Sequence, residues 1–469
     1  MRHRLLVAVC AALALAGAAY APTVRAQATP QPAATVDQVF AKWTTATPGC
    51  AVGVAVGGKT VLAKAYGMAD LEHDVPNTAE TIFEGGSVAK QFTAMAVLLL
   101  ARDGKLSLDD PARKYIPELP DYGVPLTIRH LLNHTSGLRD WGSVAGIAGA
   151  PRTTREYTHG HVLDIVSRQK ALNFQPGTQW SYSNTGFNLS AIIVARVSGS
   201  SFAEFSKSRI FGPLGMTRTS WRDDHTTVVK GRASAYTNAG DGWHLDMPFE
   251  NVHGNGGLLT TVGDLLKWNG NFVTPTVGDR ALITAQTTAG QYGDGRPLDY
   301  ALGLFLQDYR GVKNVYHSGS TAGYRAHLNR FPDTDTSVAV LCNASSAEAT
   351  RSANLVSEIY LAGHLQPATP PAAAPPARTM TPPPTAAALA ELRGRYWSDE
   401  AEVMLDVDVA DDALVIRRRP DTIITLTAVE RDVFRGTIGT VTFRRDATGQ
   451  VNALSVKQDR VWDLPFQRR

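Results

Sequence analysis

Glu84-Gly85-Gly86-Ser87-Val88-Ala89-Lys90, followed by Gln91-Phe92-Thr93-Ala94-Met95-Ala96-Val97-Leu98-Leu99-Leu100-Ala101, sets the frame for the rest of the chain. Thr81, Ile82 and Phe83 read as extended, Gly85-Gly86 as a turn, and Ser87 onward as a helix ending near Asp103-Gly104. That helix is apolar on nearly every face, and a helix without a polar side belongs at the centre of a domain. Ser87 then stands at a helix N-terminus, where unpaired N–H groups and the dipole favour developing negative charge. Lys90, three residues on, shares its face. A serine hydroxyl becomes a nucleophile when a neighbouring base takes its proton, and a lysine in apolar surroundings loses enough basicity to be that base. The plainer reading of Ser87 is an N-cap, and the two are compatible. The same spacing recurs at Ser167-Arg168-Gln169-Lys170, but there it closes an amphipathic run (Val162, Leu163, Ile165, Val166) and the serine faces the wrong end of the dipole.

Before this stretch, Val36 to Thr47 reads as a short amphipathic helix, and Cys50–Val56 with Thr60–Tyr66 as a β-hairpin around Gly57-Gly58. The first residues have the form of a secretory signal peptide. Arg2 and Arg4 precede an apolar run from Leu5 to Tyr20, and Val24-Arg25-Ala26 supplies small residues for a cut after Ala26. Residues 1–26 are therefore expected to be removed and the protein to be periplasmic or secreted, with no later stretch apolar enough to span a membrane. Of 46 Lys and Arg against 43 Asp and Glu, three arginines fall in that leader, so the remainder is balanced and argues against nucleic acid or anionic membrane as a partner. Cys50 and Cys342 remain, either paired or as buried thiols.

Downstream, Ile128–Leu132 reads as a helix running into a polar turn with His134, which is read as structural. His159-Gly160-His161 has no further ligand at a suitable spacing, so neither a metal site nor a cofactor is expected. Trp180-Ser181-Tyr182-Ser183-Asn184 reads as a loop before a helix from Phe187 to Val197, which aims Tyr182 and Asn184 into one cleft. The same Tyr-x-Asn at Tyr236-Thr237-Asn238 sits in a loop-like region without those flanks. Thr261-Val262-Gly263-Asp264 starts a helix through Trp268 with the acid as a cap. Three β-rich runs follow (Val315–Gly319, Ala326–Phe331, Ser337–Cys342), and then an amphipathic helix with Ala353, Leu355, Val356, Ile359 and Tyr360 apolar. In the first run, Gly319 of His317-Ser318-Gly319-Ser320 lets a strand backbone approach a ligand. Residues 366–387 form a Pro/Ala linker, and 388–469 hold short β-rich runs that predict a small antiparallel sandwich or barrel whose role is open.

Ser87-Val88-Ala89-Lys90, Tyr182-Ser183-Asn184 and His317-Ser318-Gly319, in that order, resemble the motifs of the serine β-lactamase and penicillin-binding-protein superfamily, in its class C-like branch of D,D-peptidases, D-aminopeptidases and esterases. Leu131–Leu138, Pro176-Gly177-Thr178 and Gly256-Gly257-Leu258 are also similar to that branch, and the resemblance covers residues 35–362. It implies an α+β domain: an antiparallel sheet flanked by helices, with an all-helical lobe and the active site between. It also implies that Ser87 attacks a carbonyl while Lys90 and Tyr182 move its proton, either one being the resting base. Asn184 would orient substrate and lysine, His317 would supply polarity where many relatives have lysine, and the N–H groups of Ser87 and Ser320 would form an oxyanion hole. Histidine at 317 is only partly cationic at neutral pH, which ranks esters and D-amino-acid peptides ahead of β-lactams. The family's sheet order places the first strand beside the last, so Cys50 and Cys342 are expected within disulfide range, under about 7 Å between Cα atoms. The C-terminal region is similar to β-barrel domains that border the cleft in some D-aminopeptidase-like members. A small-molecule or peptide substrate is implied, and the oligomeric state stays open. Two rival readings are an α/β-hydrolase, which Ala89 in place of a glycine opposes, and a non-catalytic cell-wall binder, which has no need of Ser87, Lys90 and Tyr182 together.

Overall fold

The alternation in Cys50-Ala51-Val52-Gly53-Val54-Ala55-Val56 is of small against β-branched residues, not polar against apolar, so both faces of this strand are covered. In the computed structural model, which describes residues 32–368, 380, 383–419 and 421–469, Val52 and Val54 pack with Val338, Val340, Phe40 and Val356 on one face. Ala51, Ala55, Ala339 and Leu341 face the helical side. A Cβ on Gly53 would lie 3.1 Å from Val262 and Leu266, so the small residues set how closely the helices approach. Residues 1–31 lie outside the described chain, and with them the leader and its cut after Ala26. Residues 369–379, 381 and 382 of the Pro/Ala stretch lie outside it too.

The sheet has six strands, β1 (Cys50–Val56), β2 (Lys59–Tyr66), β3 (Phe305–Tyr309), β4 (Val312–Thr321), β5 (Tyr324–Phe331) and β6 (Thr336–Cys342), in the order β3-β4-β5-β6-β1-β2, every pair antiparallel. Cys50 is in register with Cys342 across β1 and β6, and their sulfurs are bonded with the Cα atoms 4.0 Å apart. Helices α1 (Pro32–Phe40) and α5 (Ala349–Tyr360) cover one face. The other face meets α2 (Lys90–Arg102), α3 (Asn184–Ser198) and α4 (Val262–Val273). α2 is buried from Lys90 to Leu100, as its all-round apolarity requires. It stops where Gly104 turns left-handed (φ 69°) and Lys105 N–H reaches back to the Leu100 carbonyl at 3.0 Å. Truncating a side chain such as Leu99 inside it costs about 2–5 kcal/mol.

Several boundaries differ from the sequence reading. α1 ends at Phe40, short of Thr47, and α3 begins at Asn184, three residues before Phe187. α4 runs on to Val273, past Trp268. Tyr236–Asn238 is a short strand paired with Trp243–Leu245, where a loop was expected. Four strands close the first domain, not three; β3, with aromatic and acidic residues and only partial burial, lacks the apolar run that marks the others.

The C-terminal part opens with a short helix (Ala386–Glu391) and closes into a barrel of eight antiparallel strands. These are β7 (Gly394–Ser398), β8 (Val403–Ala410), β9 (Ala413–Arg418), β10 (Thr422–Glu430), β11 (Val433–Gly436), β12 (Gly439–Arg445), β13 (Val451–Gln458) and β14 (Val461–Arg468). Five of them correspond to β-rich runs; β7, β11 and β14 are short or interrupted by charge and proline. Leu405, Leu414, Ile416, Val456 and Phe466 fill the interior. The barrel is seated on the first domain. Val144 and Ile147 of the helix Trp141–Ile147 join its apolar cluster, and Arg418 donates to the Gly146 and Ile147 carbonyls at 2.6 and 2.7 Å, capping that helix. The buried Arg139 donates to Glu400 at 2.9 Å and to the Asp463 carbonyl at 2.8 Å. Among the described residues no helix is long and apolar enough to cross a membrane.

Candidate active site

Phe83–Glu84 pairs with Leu258–Thr260, and the chain then turns through Gly86 (φ 50°) into a 3-10 turn, Gly86–Ala89, that leads into α2. Ser87 sits in that turn, one step before the α-helix proper. Two glycines permit the approach of β4. A Cβ on Gly86 would stand 2.6 Å from Ser320 N, and one on Gly319 would stand 2.0 Å from Gly85 O and 3.0 Å from Ser87 N. The amides of Ser87 and Ser320 are therefore brought to one wall, the arrangement that receives an oxyanion.

Lys90 is fully buried with no carboxylate against it. Its Nζ lies 3.0 Å from Ser87 Oγ, 2.8 Å from Asn184 Oδ1 and 2.7 Å from the Asn255 carbonyl. Two of these oxygens can only accept. A neutral amine gives them its two N–H groups and keeps its lone pair for the Ser87 hydroxyl. Burial, and then the positive charge of Arg460, pushes the amine well below its ordinary basicity.

Each partner is itself fixed. Asn184 is the first residue of α3, and its N–H donates to Asp140 Oδ2 at 2.7 Å. Asn255 is held by Asn188, whose Nδ2 donates to Asn255 Oδ1 at 2.7 Å, and Thr93 Oγ1 donates to the neighbouring Gly254 carbonyl at 2.7 Å. A backbone carbonyl leaves no signature in residue type, so sequence reading passes over this contact.

Tyr182 is half-buried, with its phenol at the Ser87 hydroxyl and Lys90 Nζ 4.8 Å from its ring centroid. Burial raises its pKa, so the phenol is protonated at rest. Its ring rests on His134 at 4.3 Å, and His134 Nδ1 accepts from Ser183 N–H at 3.1 Å, which makes that histidine part of the floor. His317 is buried as well. Its Nδ1 is 2.6 Å from the Ser318 carbonyl and therefore carries the proton, while Nε2 lies 3.1 Å from the Tyr300 hydroxyl. Burial, then Lys90, pushes its pKa down to about 3. The partly cationic side chain expected at 317 is thus a neutral one, locked by a carbonyl and a phenol.

Behind the Ser87 turn lies a buried ionic cluster. Glu84 accepts from Arg222 at 2.9 and 3.0 Å and lies 3.5 Å from Arg232, while Arg152 is paired with Glu250. From the other side comes Arg460, in the turn between β13 and β14, with Cζ 4.7 Å from the Tyr182 ring centroid. Its carbonyl accepts from Asp140 N–H at 3.3 Å and from Asn173 Nδ2 at 3.2 Å, and Trp462 N–H donates to Asn173 Oδ1 at 3.0 Å. Sequence reading missed Arg460 because the barrel carries no catalytic spacing.

Ser87, Tyr182, Asn184, His317, Gly319, Ser320 and Arg460 line one cavity of about 970 Å³. Ser167 and Lys170 do not reach it. His161 caps its own helix through Thr158, and His159 lies against the His253 carbonyl. Among the described residues only Asp70, Glu72 and His73 bring three potential metal ligands together, on the surface and with His73 already paired to Asp70.

The family model described as Beta-lactamase matches residues 33–360. The D-aminopeptidase of Gluconobacter oxydans is 30% identical over 311 residues, 66% of this chain and 58% of that protein. Penicillin-binding protein 4* of Bacillus subtilis is 28% identical over 304 residues, 62% of this chain and 66% of that one. These matches span less than two thirds of either relative. The octameric penicillin-binding protein homologue from Pyrococcus abyssi superposes with a TM-score of 0.62 at 25% identity, over 93% of this chain and 99% of that one.

Proposed function

This chain belongs to the beta-lactamase family, and from that premise we propose that it is a serine hydrolase cleaving D-amino-acid amides or related esters through an acyl-enzyme on Ser87. The observation that carries this reading is the Lys90 amine, buried without a counter-ion and directed at the Ser87 hydroxyl by two obligate acceptors. Lys90 takes the hydroxyl proton as Ser87 Oγ attacks the carbonyl. The Ser87 and Ser320 amides meet the oxyanion, the Tyr182 phenol protonates the departing nitrogen or oxygen, and the ammonium left on Lys90 makes good that proton. Water then repeats the sequence on the acyl-enzyme. The D-amino-acid preference draws on the D-aminopeptidase relative.

A second reading, a penicillin-binding protein or β-lactamase, draws on the Bacillus subtilis relative. Turnover of short acyl esters, D-amino-acid amides and a chromogenic cephalosporin, with fluorophosphonate labelling of Ser87, decides between them. Esters or D-amides turned over with a Ser87 adduct are expected. Rapid cephalosporin hydrolysis without esterase activity reverses the order, and no adduct at all leaves a binder. We also propose, from the leader-like stretch Arg2 to Ala26, that the protein is exported with a mature chain beginning after Ala26; the Cys50–Cys342 bond suits an oxidising compartment.

A further inference from the structure

Four guanidinium groups line the cavity over Ser87, those of Arg152, Arg325, Arg351 and Arg460. Three are engaged. Arg152 is tied to Glu250, Arg351 lies 3.5 Å from Glu348, and Arg325 donates to the Ala322 and Tyr324 carbonyls at 2.6 and 2.7 Å. The guanidinium of Arg460 has neither a carboxylate nor a hydrogen-bond acceptor among the described residues, and its contact is the face of Tyr182. Of the two other basic side chains beside the nucleophile, His317 is neutral and Lys90 is pushed by burial toward its neutral form. Arg460 is thus the uncommitted positive charge of the cleft. Its position is built: the backbone is held from Asp140 and Asn173, and the Asp459 carbonyl accepts from Ser181 Oγ at 3.4 Å.

A guanidinium with open donors matches a planar carboxylate, which it binds with two parallel hydrogen bonds. Its side of the cleft follows from Tyr182, whose phenol faces Ser87 and whose ring carries Arg460. We propose that Arg460 is a carboxylate receptor and that preferred substrates release a leaving group bearing a free carboxylate, an amino acid or peptide in preference to ammonia or a neutral amine. The inference rests on the hydrolase reading above, in which Tyr182 protonates the leaving group. It makes the C-terminal barrel part of the substrate site.

The test uses the full chain and three activated esters: 4-nitrophenyl acetate, 3-carboxy-4-nitrophenyl acetate, and 4-nitrophenyl hydrogen adipate, which carries its anion on the acyl side. The readout is the ratio of kcat/KM for each charged ester to that for the neutral one. Within one variant this ratio cancels any loss of folded enzyme. Arg460→Gln is expected to lower the ratio for the carboxy-nitrophenyl ester about ten- to hundredfold, the scale of one charge-assisted hydrogen bond. Arg460→Lys keeps part of it and Arg460→Glu lowers it further. An unchanged ratio, with Ser87-dependent turnover of the neutral ester, overturns this proposal alone. A preference for the adipate ester that disappears in Arg460→Gln overturns the assignment to the leaving-group side. Absence of Ser87-dependent turnover on all three overturns the hydrolase reading and this one with it.

Discussion

Glu84 and Lys90 are six residues apart, 1% and 0% exposed, and opposite in what surrounds them. Burial raises the Glu84 pKa, but Arg222 and then Arg232 more than offset it, and the carboxylate stays ionised. The Lys90 amine touches only neutral oxygens, and burial and then Arg460 drive it toward its neutral form against the smaller pull of Asp140. One stretch of chain therefore holds a charge that is satisfied and a charge that is refused. The satisfied one fixes the backbone ahead of the Ser87 turn. In the proposed hydrolase the refused one is the reactive group.

The contrast is broken most severely at the reactive member. Ser87→Ala or Lys90→Met is expected to reduce ester turnover about a thousandfold or more while the far-UV circular dichroism stays that of the parent. A variant that retains a tenth of its activity removes Lys90 as base. At the satisfied member the effect falls on stability. Arg222→Met leaves Glu84 buried with much of its compensation gone, at a cost of about 3–5 kcal/mol by thermal or urea unfolding. A melt within error of the parent means that Arg232 and Arg152 suffice.

A smaller effect sharpens the comparison through pH. As the proposed base Lys90 works only while neutral, so kcat/KM is expected to fall as pH drops through its folded pKa, which lies well below 10.5. Arg460→Gln removes a neighbouring positive charge, raises that pKa, and moves the acid limb to higher pH; a limb that stays put removes Arg460 from the electrostatics of the base. The smallest effect is on the stability of Lys90→Met. A lysine with a depressed folded pKa binds its proton only when unfolded, between the folded value and 10.5. It therefore lowers stability at neutral pH, and this penalty shrinks as pH rises toward 10.5. Lys90→Met is expected to melt no lower than the parent at pH 7, with any gain shrinking toward pH 9.5.

How far the sequence discloses these groups depends on whether their work is local. Ser87 and Lys90 share one turn of chain, Gly86 and Gly319 mark close backbone approaches, and Tyr182 stands just before a helix, so turn chemistry and periodicity expose them. The charge state of His317 depends on Tyr300, which lies 17 positions away and on another element. The Asn255 carbonyl and the Asp140 cap on Asn184 are backbone contacts that any residue type permits on one side. Arg460 arrives from the end of a barrel whose strands alternate like those of any small β-domain. β3 and the three unpredicted barrel strands are held by their neighbours and lack an apolar pattern of their own, so periodicity passes over them.

The bond between Cys50 and Cys342 makes the first domain a covalent loop, with the barrel attached outside it. A protease that nicks any exposed connection between those positions leaves both fragments on one non-reduced molecule, able to migrate as a single band until a thiol is added. A cut between residues 368 and 383 has the opposite result. It parts the molecule into the loop, which keeps Ser87, and the barrel, which keeps Arg460 and stays only as long as the non-covalent seam through Arg139–Glu400, Arg418 and the Val144–Ile147 contact holds it.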